Sequence, residues 1–137
     1  MRPPRFLDLP ERSAKPRRSG LTHVLDQGAG PAATADVLES GAAHLDIWKI
    51  GWGTAYVDPA LAAKLELLAR HGIAACLGGT LLEIAWAQGR SAECLAWARD
   101  AGFGYVEVSR GTVAMARRMS ARFSGRVIAT VPRETST

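Results

Sequence analysis

Short apolar runs of strand character alternate along this chain with longer runs of helical periodicity, and glycine, proline or a capping residue marks each change. The strand-like runs are 22–26, 45–50, 73–77, 105–109 and 127–131. Between them, 32–40 follows Pro31, a residue suited to the first turn of a helix, and Gly41 suits its end. Asp58 and Pro59 read as the cap and first position of a helix running to His71, with Leu61, Leu65 and Leu68 on one face. Thr80 reads as the cap of the next helix, and Glu83 as its capping-box partner. Further helical runs are 91–102 and 112–123. Strict alternation of this kind implies a parallel sheet with crossover helices. Periodicity alone does not separate an open doubly wound sheet from part of a barrel. No glycine fingerprint of the dinucleotide-binding type follows the first strand.

Composition decides how much of the chain joins that pattern. With 137 residues, 47% of them apolar, there is material for one domain with a real core. Residues 1–20 stand apart as a basic, proline-rich arm, and 21–137 form the α/β domain. Arg2, Arg5, Arg12, Lys15, Arg17 and Arg18 face only Asp8 and Glu11 in the arm, so it holds the whole net charge of +4. The charge is therefore not a basic stripe on a folded face, and a nucleic-acid partner is not expected. The arm itself reads as a solvated, partly ordered lead-in. Its arginines precede no apolar core of a signal peptide, and no apolar run is long enough for a membrane span. The expected location is the cytoplasm. Cys76 and Cys94 read as buried thiols and not as a disulfide or a metal pair.

In parallel α/β folds ligands meet the carboxyl ends of the strands. Polar residues gather there in this sequence. Asp26 ends the first run and Lys49 lies near the end of the second. Gly78, Gly79 and Thr80 follow the third, and Glu107 and Ser109 close the fourth. A lysine inside a strand either binds an anion or acts in proton transfer, or else packs its stem and pairs with an acid such as Asp26 or Glu107. The Gly78–Gly79–Thr80 turn is either an anion cradle or an ordinary tight turn. Asp26 and Glu107 together could supply oxygen ligands to Mg²⁺. His23, His44 and His71 are scattered and receive no role, and Trp52, Trp86 and Trp97 read as packing residues.

The segments KPRRSGLTHVLDQG, HLDIWKIGWGT, GGTLLEIAWAQG and GFGYVEVSRGT occur in that order at βα intervals. Together they resemble the phosphosulfolactate synthase family, over about residues 15–131. The resemblance implies a TIM-like (β/α)₈ barrel, here present as about five parallel strands. It implies Mg²⁺-dependent addition of sulfite to phosphoenolpyruvate, giving (2R)-2-phospho-3-sulfolactate, on the way to coenzyme M or other sulfolactate products. It assigns catalytic roles to Lys49 and Glu107, substrate contacts to Asp26, Gly78, Gly79, Thr80 and Ser109, and metal ligation to Asp26 and Glu107, and it places Glu83 among the polar residues of the barrel mouth. The chain departs from the family pattern mildly at Gln27 and more at three later positions: Arg110 replaces an acidic or amide residue, Thr130 a glutamate and Pro132 a glycine, with Arg133 near an expected lysine. Family members run to about the eight βα units of a full barrel. This chain is therefore expected to be a truncated half that pairs with another copy or lacks a second part. The competing readings are an inactive remnant or interaction module and a stress-associated relative that is not a synthase.

Overall fold

A computed structural model describes residues 6–109 and the backbone of 126–129. Its elements run β1 (His23–Asp26), α1 (Pro31–Gly41), β2 (Ile47–Ile50), α2 (Leu61–Arg70), β3 (Ala74–Leu77), α3 (Gly79–Ala87), α4 (Ser91–Ala101), β4 (Tyr105–Val108) and β5 (Arg126–Ala129). The helix expected at 112–123 and the departures at Arg110, Thr130, Pro132 and Arg133 lie outside the described residues. All four strand pairings are parallel, and the sheet order β1-β2-β3-β4-β5 follows the chain. A doubly wound sheet reverses its order at a switch point, whereas a barrel is wound in one direction. The order therefore resolves the ambiguity left by periodicity: this is an open sheet with the winding of a partial (β/α)₈ barrel.

Register fixes the two faces. His23, Leu25, Ile47, Lys49, Ala74 and Cys76 alternate with Val24, Asp26, Trp48, Ile50, Ala75 and Leu77. Cys76 then pairs with Tyr105 and Leu77 with Val106, which carries the same alternation into β4. The second set faces the helices. Trp48, Ile50, Ala75, Leu77 and Val106 form one core cluster with Leu38, Leu65, Leu68, Leu82, Leu95 and Ala98 from α1 to α4. The first set lines the inner face, where Leu25 is 46% exposed. Leu68 is fully buried in the core. Replacing Leu68 by alanine is expected to cost about 2–5 kcal/mol through lost transfer energy and the cavity left behind. Urea unfolding, read as a lower midpoint at constant slope, checks this.

Local chemistry accounts for most element boundaries. α2 ends in a Schellman-type closure: Gly72 adopts φ 63°, its N–H bonds to Ala69 O, and Ile73 N–H reaches back to Leu68 O at 3.0 Å. α4 closes the same way at Gly102, with Phe103 N–H on Ala98 O. The starts of α2 and α3 differ from expectation. Asp58 does not cap a helix beginning at Pro59. Its Oδ1 accepts the Ala60 N–H at 2.8 Å in a local turn, and the helix begins at Leu61. Thr80 is not a cap either. Gly78 holds that position without a side-chain bond, and Thr80 lies inside the first turn. The capping box with Glu83 is therefore absent, and Glu83 has other work.

The arm is largely exposed, with its order coming from two arginines. Arg17 Nη1 pairs with Asp46 Oδ1 at 2.8 Å, while Asp46 Oδ2 accepts the Thr22 N–H. Arg17 Nη2 donates to Ala43 O, and Arg12 Nη2 donates to Thr22 Oγ1 and His44 O. Two arm arginines thus fasten to the entry ends of β1 and β2, while Phe6, Leu7 and Leu9 remain exposed.

Candidate functional site

Three strand ends and one helix start build the inner-face cluster. Lys49 projects from β2 and Glu107 from β4, and β3 lies between them with Cys76 on the same face. Lys49 Nζ donates to Glu107 Oε1 at 2.7 Å. The Gly79 N–H donates to Glu107 Oε2 at 2.9 Å. One carboxylate is therefore held between an ammonium and a backbone amide at the start of α3. Charge-assisted bonds of this kind are short and fix geometry well. The pair is largely shielded, with side-chain exposures of 14% and 9%.

Ser109 follows β4 and donates its hydroxyl to Glu83 Oε1. Glu83 is buried at 1% exposure, one turn into α3. Gly79 lies between these groups for a steric reason. A Cβ there would lie 2.1 Å from Ser109 Oγ and 3.2 Å from Glu107 O. Gly78 is equally constrained, since a Cβ would come within 2.6 Å of Ile50 O and 2.9 Å of Gly51 Cα. The double glycine thus serves close packing of strand ends, and Gly79 alone offers its amide to a carboxylate.

Asp26 is placed otherwise. It is 2% exposed and belongs to the helix-facing set. Its Oδ1 accepts the N–H groups of Gly28 (2.7 Å) and Ala29 (2.6 Å). Its Oδ2 accepts Trp48 Nε1 and Lys64 Nζ, both at 3.0 Å. Lys64, from α2, also reaches Asp58 Oδ2 at 2.9 Å. Burial by itself raises the Asp26 pKa, but the bonds from Trp48, Ala29, Lys64 and Gly28 outweigh it and hold the carboxyl below its ordinary value. Burial likewise lowers Lys64, but its bonds to Asp58 and Asp26 outweigh it and raise the ammonium above its usual range. The expected Asp26–Glu107 metal pair is corrected here. The two carboxylates occupy opposite faces of the sheet, and Asp26 is committed to four donors.

Of the residues singled out from sequence, Lys49, Gly79, Ser109 and Glu107 come together. Gly78 supports them from behind, and Thr80 makes none of the bonds that join them. Glu83, whose spacing reads as a cap while the resemblance places it at the mouth, joins them through Ser109; sequence reasoning missed Lys64 and Asp58 as ion-pair partners. It also passed over His23, which register places on the Lys49 face. Burial holds the His23 imidazole below its ordinary pKa, assisted by the Lys49 charge and opposed by Glu107. Strand parity with Lys49 was the signal that could have found it. Cys76 is buried beside the same pair, and burial pushes its thiol up to about 12, which removes it as a nucleophile near neutral pH.

A sheet wound in chain order with helices on one face defines part of a (β/α)₈ barrel, and the lysine–carboxylate cluster lies at the carboxyl edge of the other face. The sequence profile of (2R)-phospho-3-sulfolactate synthase (ComA) matches residues 10–131, so the chain belongs to that family. Similar relatives are the phosphosulfolactate synthases of Methanothermobacter thermautotrophicus and Bacillus subtilis. The first is 39% identical over 106 residues, which is 76% of this chain and 41% of that protein. The second is 32% identical over 117 residues, 85% of this chain and 46% of that protein. A third, from Methanocaldococcus jannaschii, is 38% identical over 95 residues, covering 68% and 38%. The chain thus spans less than half the length of these relatives. Among the described residues no helix is long and apolar enough to cross a membrane.

Proposed function

We propose that this chain supplies the first strands of a phosphosulfolactate synthase site, which adds sulfite to phosphoenolpyruvate to give (2R)-2-phospho-3-sulfolactate. The observation that carries the reading is the Lys49–Glu107–Gly79 cluster at the carboxyl edge of a barrel-wound sheet in a member of that family. In the reaction the sulfur lone pair of sulfite forms a bond to the methylene carbon of phosphoenolpyruvate. The double-bond electrons move to C2 and spread into the carboxylate, and a proton then adds at C2. All reactants are anions, so the site has to gather negative charge and stabilise more as it develops. An ammonium carries three donors. Glu107 takes one and aims the rest, leaving Lys49 to hold the anionic substrate on the inner face.

The Mg²⁺ implied by the resemblance belongs to the same proposal. Of the two carboxylates, Glu107 lies on the inner face and Asp26 does not, and an ion held by Glu107 would have to share or replace its bonds to Lys49 and Gly79. When bound, the ion supplies positive charge against the substrate carboxylate. The reading also requires cover for an inner face on which Leu25 is 46% exposed. The remainder of a longer chain or a second copy would supply the further strands. A cytoplasmic location, with coenzyme M or another sulfolactate as the product's fate, completes the proposal.

Sulfite-dependent consumption of phosphoenolpyruvate, followed by phosphorus NMR, tests it. Where a second copy supplies the further strands, the chain is expected to turn over, and Lys49→Ala is expected to lose activity by about 10²-fold or more with its circular dichroism unchanged. Undiminished turnover in Lys49→Ala removes Lys49 from the site. Absence of turnover in folded wild-type chain overturns the reading for this chain on its own.

A further inference from the structure

Lys64 contributes nothing to the inner face, yet its surroundings tie it to the cluster there. Its side chain is 1% exposed, and its amine crosses from α2 to Asp26 at the end of β1 and to Asp58 in the loop after β2. Asp26 passes this anchorage onward through its own backbone. Its carbonyl accepts the Gly51 N–H at 2.8 Å, just past the end of β2. A Cβ on Gly51 would lie 3.1 Å from that carbonyl and 2.7 Å from Leu25 Cδ1, so the two strand ends are in close contact. Gly51 Cα in turn lies against Gly78, whose N–H bonds to Ile50 O at 2.9 Å. Gly78 is followed by Gly79, the amide that holds Glu107 and through it Lys49.

We propose that Lys64 is a positioning residue for the Lys49–Glu107–Gly79 anion seat, acting through Asp26, Gly51 and Gly78. Between the Asp26 backbone and Gly79, each link is a backbone hydrogen bond, a close glycine contact or a peptide bond. A shift of the Asp26 backbone, which the Lys64 ion pair holds in place, therefore moves the next strand end. Close-packed interiors transmit such displacement because they lack free volume. The loop between β1 and α1 is held in the same way, since Asp26 Oδ1 takes both the Gly28 and Ala29 amides. The inference rests on the reading of the seat as an anion site.

The test uses the full chain, inorganic phosphate as the probe, and the Gly51 and Gly79 amide resonances as reporters. Lys64→Met keeps the stem and removes the charge. Where that variant does not fold, Asp58→Asn/Lys64→Met leaves a single buried carboxylate that Gly28, Ala29 and Trp48 still satisfy. The Gly51 and Gly79 amides are expected to shift, and phosphate affinity to fall at least tenfold, with helix content retained. Lys64→Arg, which restores the charge, is expected to recover part of that affinity. Unshifted amides and unchanged phosphate affinity, however far the melting temperature falls, would make Lys64 a purely structural residue and overturn the inference. If the wild-type chain binds no phosphate, the reading of the seat fails. The amide shifts in the Lys64 variants then decide the positioning role independently.

Discussion

Asp26→Ala is expected to lower the unfolding free energy by about 3–5 kcal/mol, the cost typical of removing one partner from a buried ion pair. The carboxylate is 2% exposed and accepts four hydrogen bonds, so its loss strands several donors together. The amides of Gly28 and Ala29 and the Trp48 indole N–H would need water or distortion to be satisfied. Lys64 would keep only Asp58, which has the more exposed carboxylate of the two at 19%. A buried donor left without its acceptor costs its full desolvation, which exceeds the net value of the bond it made. Asp58→Ala is expected to cost less, because Lys64 would still have Asp26 and the vacated space reaches solvent. Urea unfolding of both variants beside the wild type checks the order as well as the size.

The same network sets a pH dependence with a definite sign. Asp26 and Asp58 are both held below the ordinary 3.8, Asp58 chiefly by its bond to Lys64. Their contribution is fully present above the unfolded-state value and is lost as pH falls through the depressed values. Lys64 is raised above 10.5, so its contribution is complete below that and is lost as pH rises through the raised value. Stability from this network should therefore be flat between the two limits and fall at both ends. Asp26→Ala should flatten the acid limb most. A stability-against-pH curve measured on both proteins shows it directly, and an acid limb of equal slope in both would contradict the assignment.

The parts of the molecule that sequence made legible are those governed by period and by chain-local chemistry. The strand runs, the crossover helices and the glycine closures at Gly72 and Gly102 follow from alternation and from positive φ. Lys49, Gly79, Ser109 and Glu107 were legible as a candidate site because the carboxyl ends of parallel strands are where ligands meet such folds. Asp26 occupies an equivalent position and still turns to the other face, because its parity matches Trp48 through Val24, while Lys49 matches Leu25. Parity was readable within each strand, but the register that joins one strand's parity to the next was not. Lys64 was hidden for a related reason. On a helix whose exposed side carries Glu66 and Arg70, a lysine reads as solvated. The opposed carboxylates of Asp26 and Asp58, brought together from the end of β1 and the loop after β2, make its burial tolerable. Glu83 fitted a capping spacing that the chain does not use, since the close approach of Gly79 to Ser109 sets where α3 begins.

That close approach makes Gly79→Ala the substitution with the largest expected effect on the site. Gly79 is not in the left-handed region, and alanine is favoured over glycine within helices by about 1 kcal/mol. Backbone preference therefore argues for the change, and the contacts argue against it. The new Cβ would lie 2.1 Å from Ser109 Oγ, 2.8 Å from Ser109 Cβ and 3.2 Å from Glu107 O. Rotating the serine hydroxyl away would break its bond to Glu83 and still leave its Cβ too near. The remaining escape is to separate the start of α3 from the end of β4, which draws the Gly79 amide off Glu107 and releases Lys49. Overpacking of this kind costs about 1–3 kcal/mol in stability. A displacement of about 1 Å at a reacting centre costs about 10²-fold in rate. Phosphate affinity and sulfite-dependent turnover are therefore expected to collapse while the fold persists, and the Lys49→Ala variant sets the floor for comparison. Gly30→Ala is the matched control, since nothing lies within 4 Å of a Cβ there, and it should leave both readouts unchanged. Wild-type affinity in Gly79→Ala would mean that the helix start and the strand end are not in contact, and the carboxylate seat would have to be placed elsewhere.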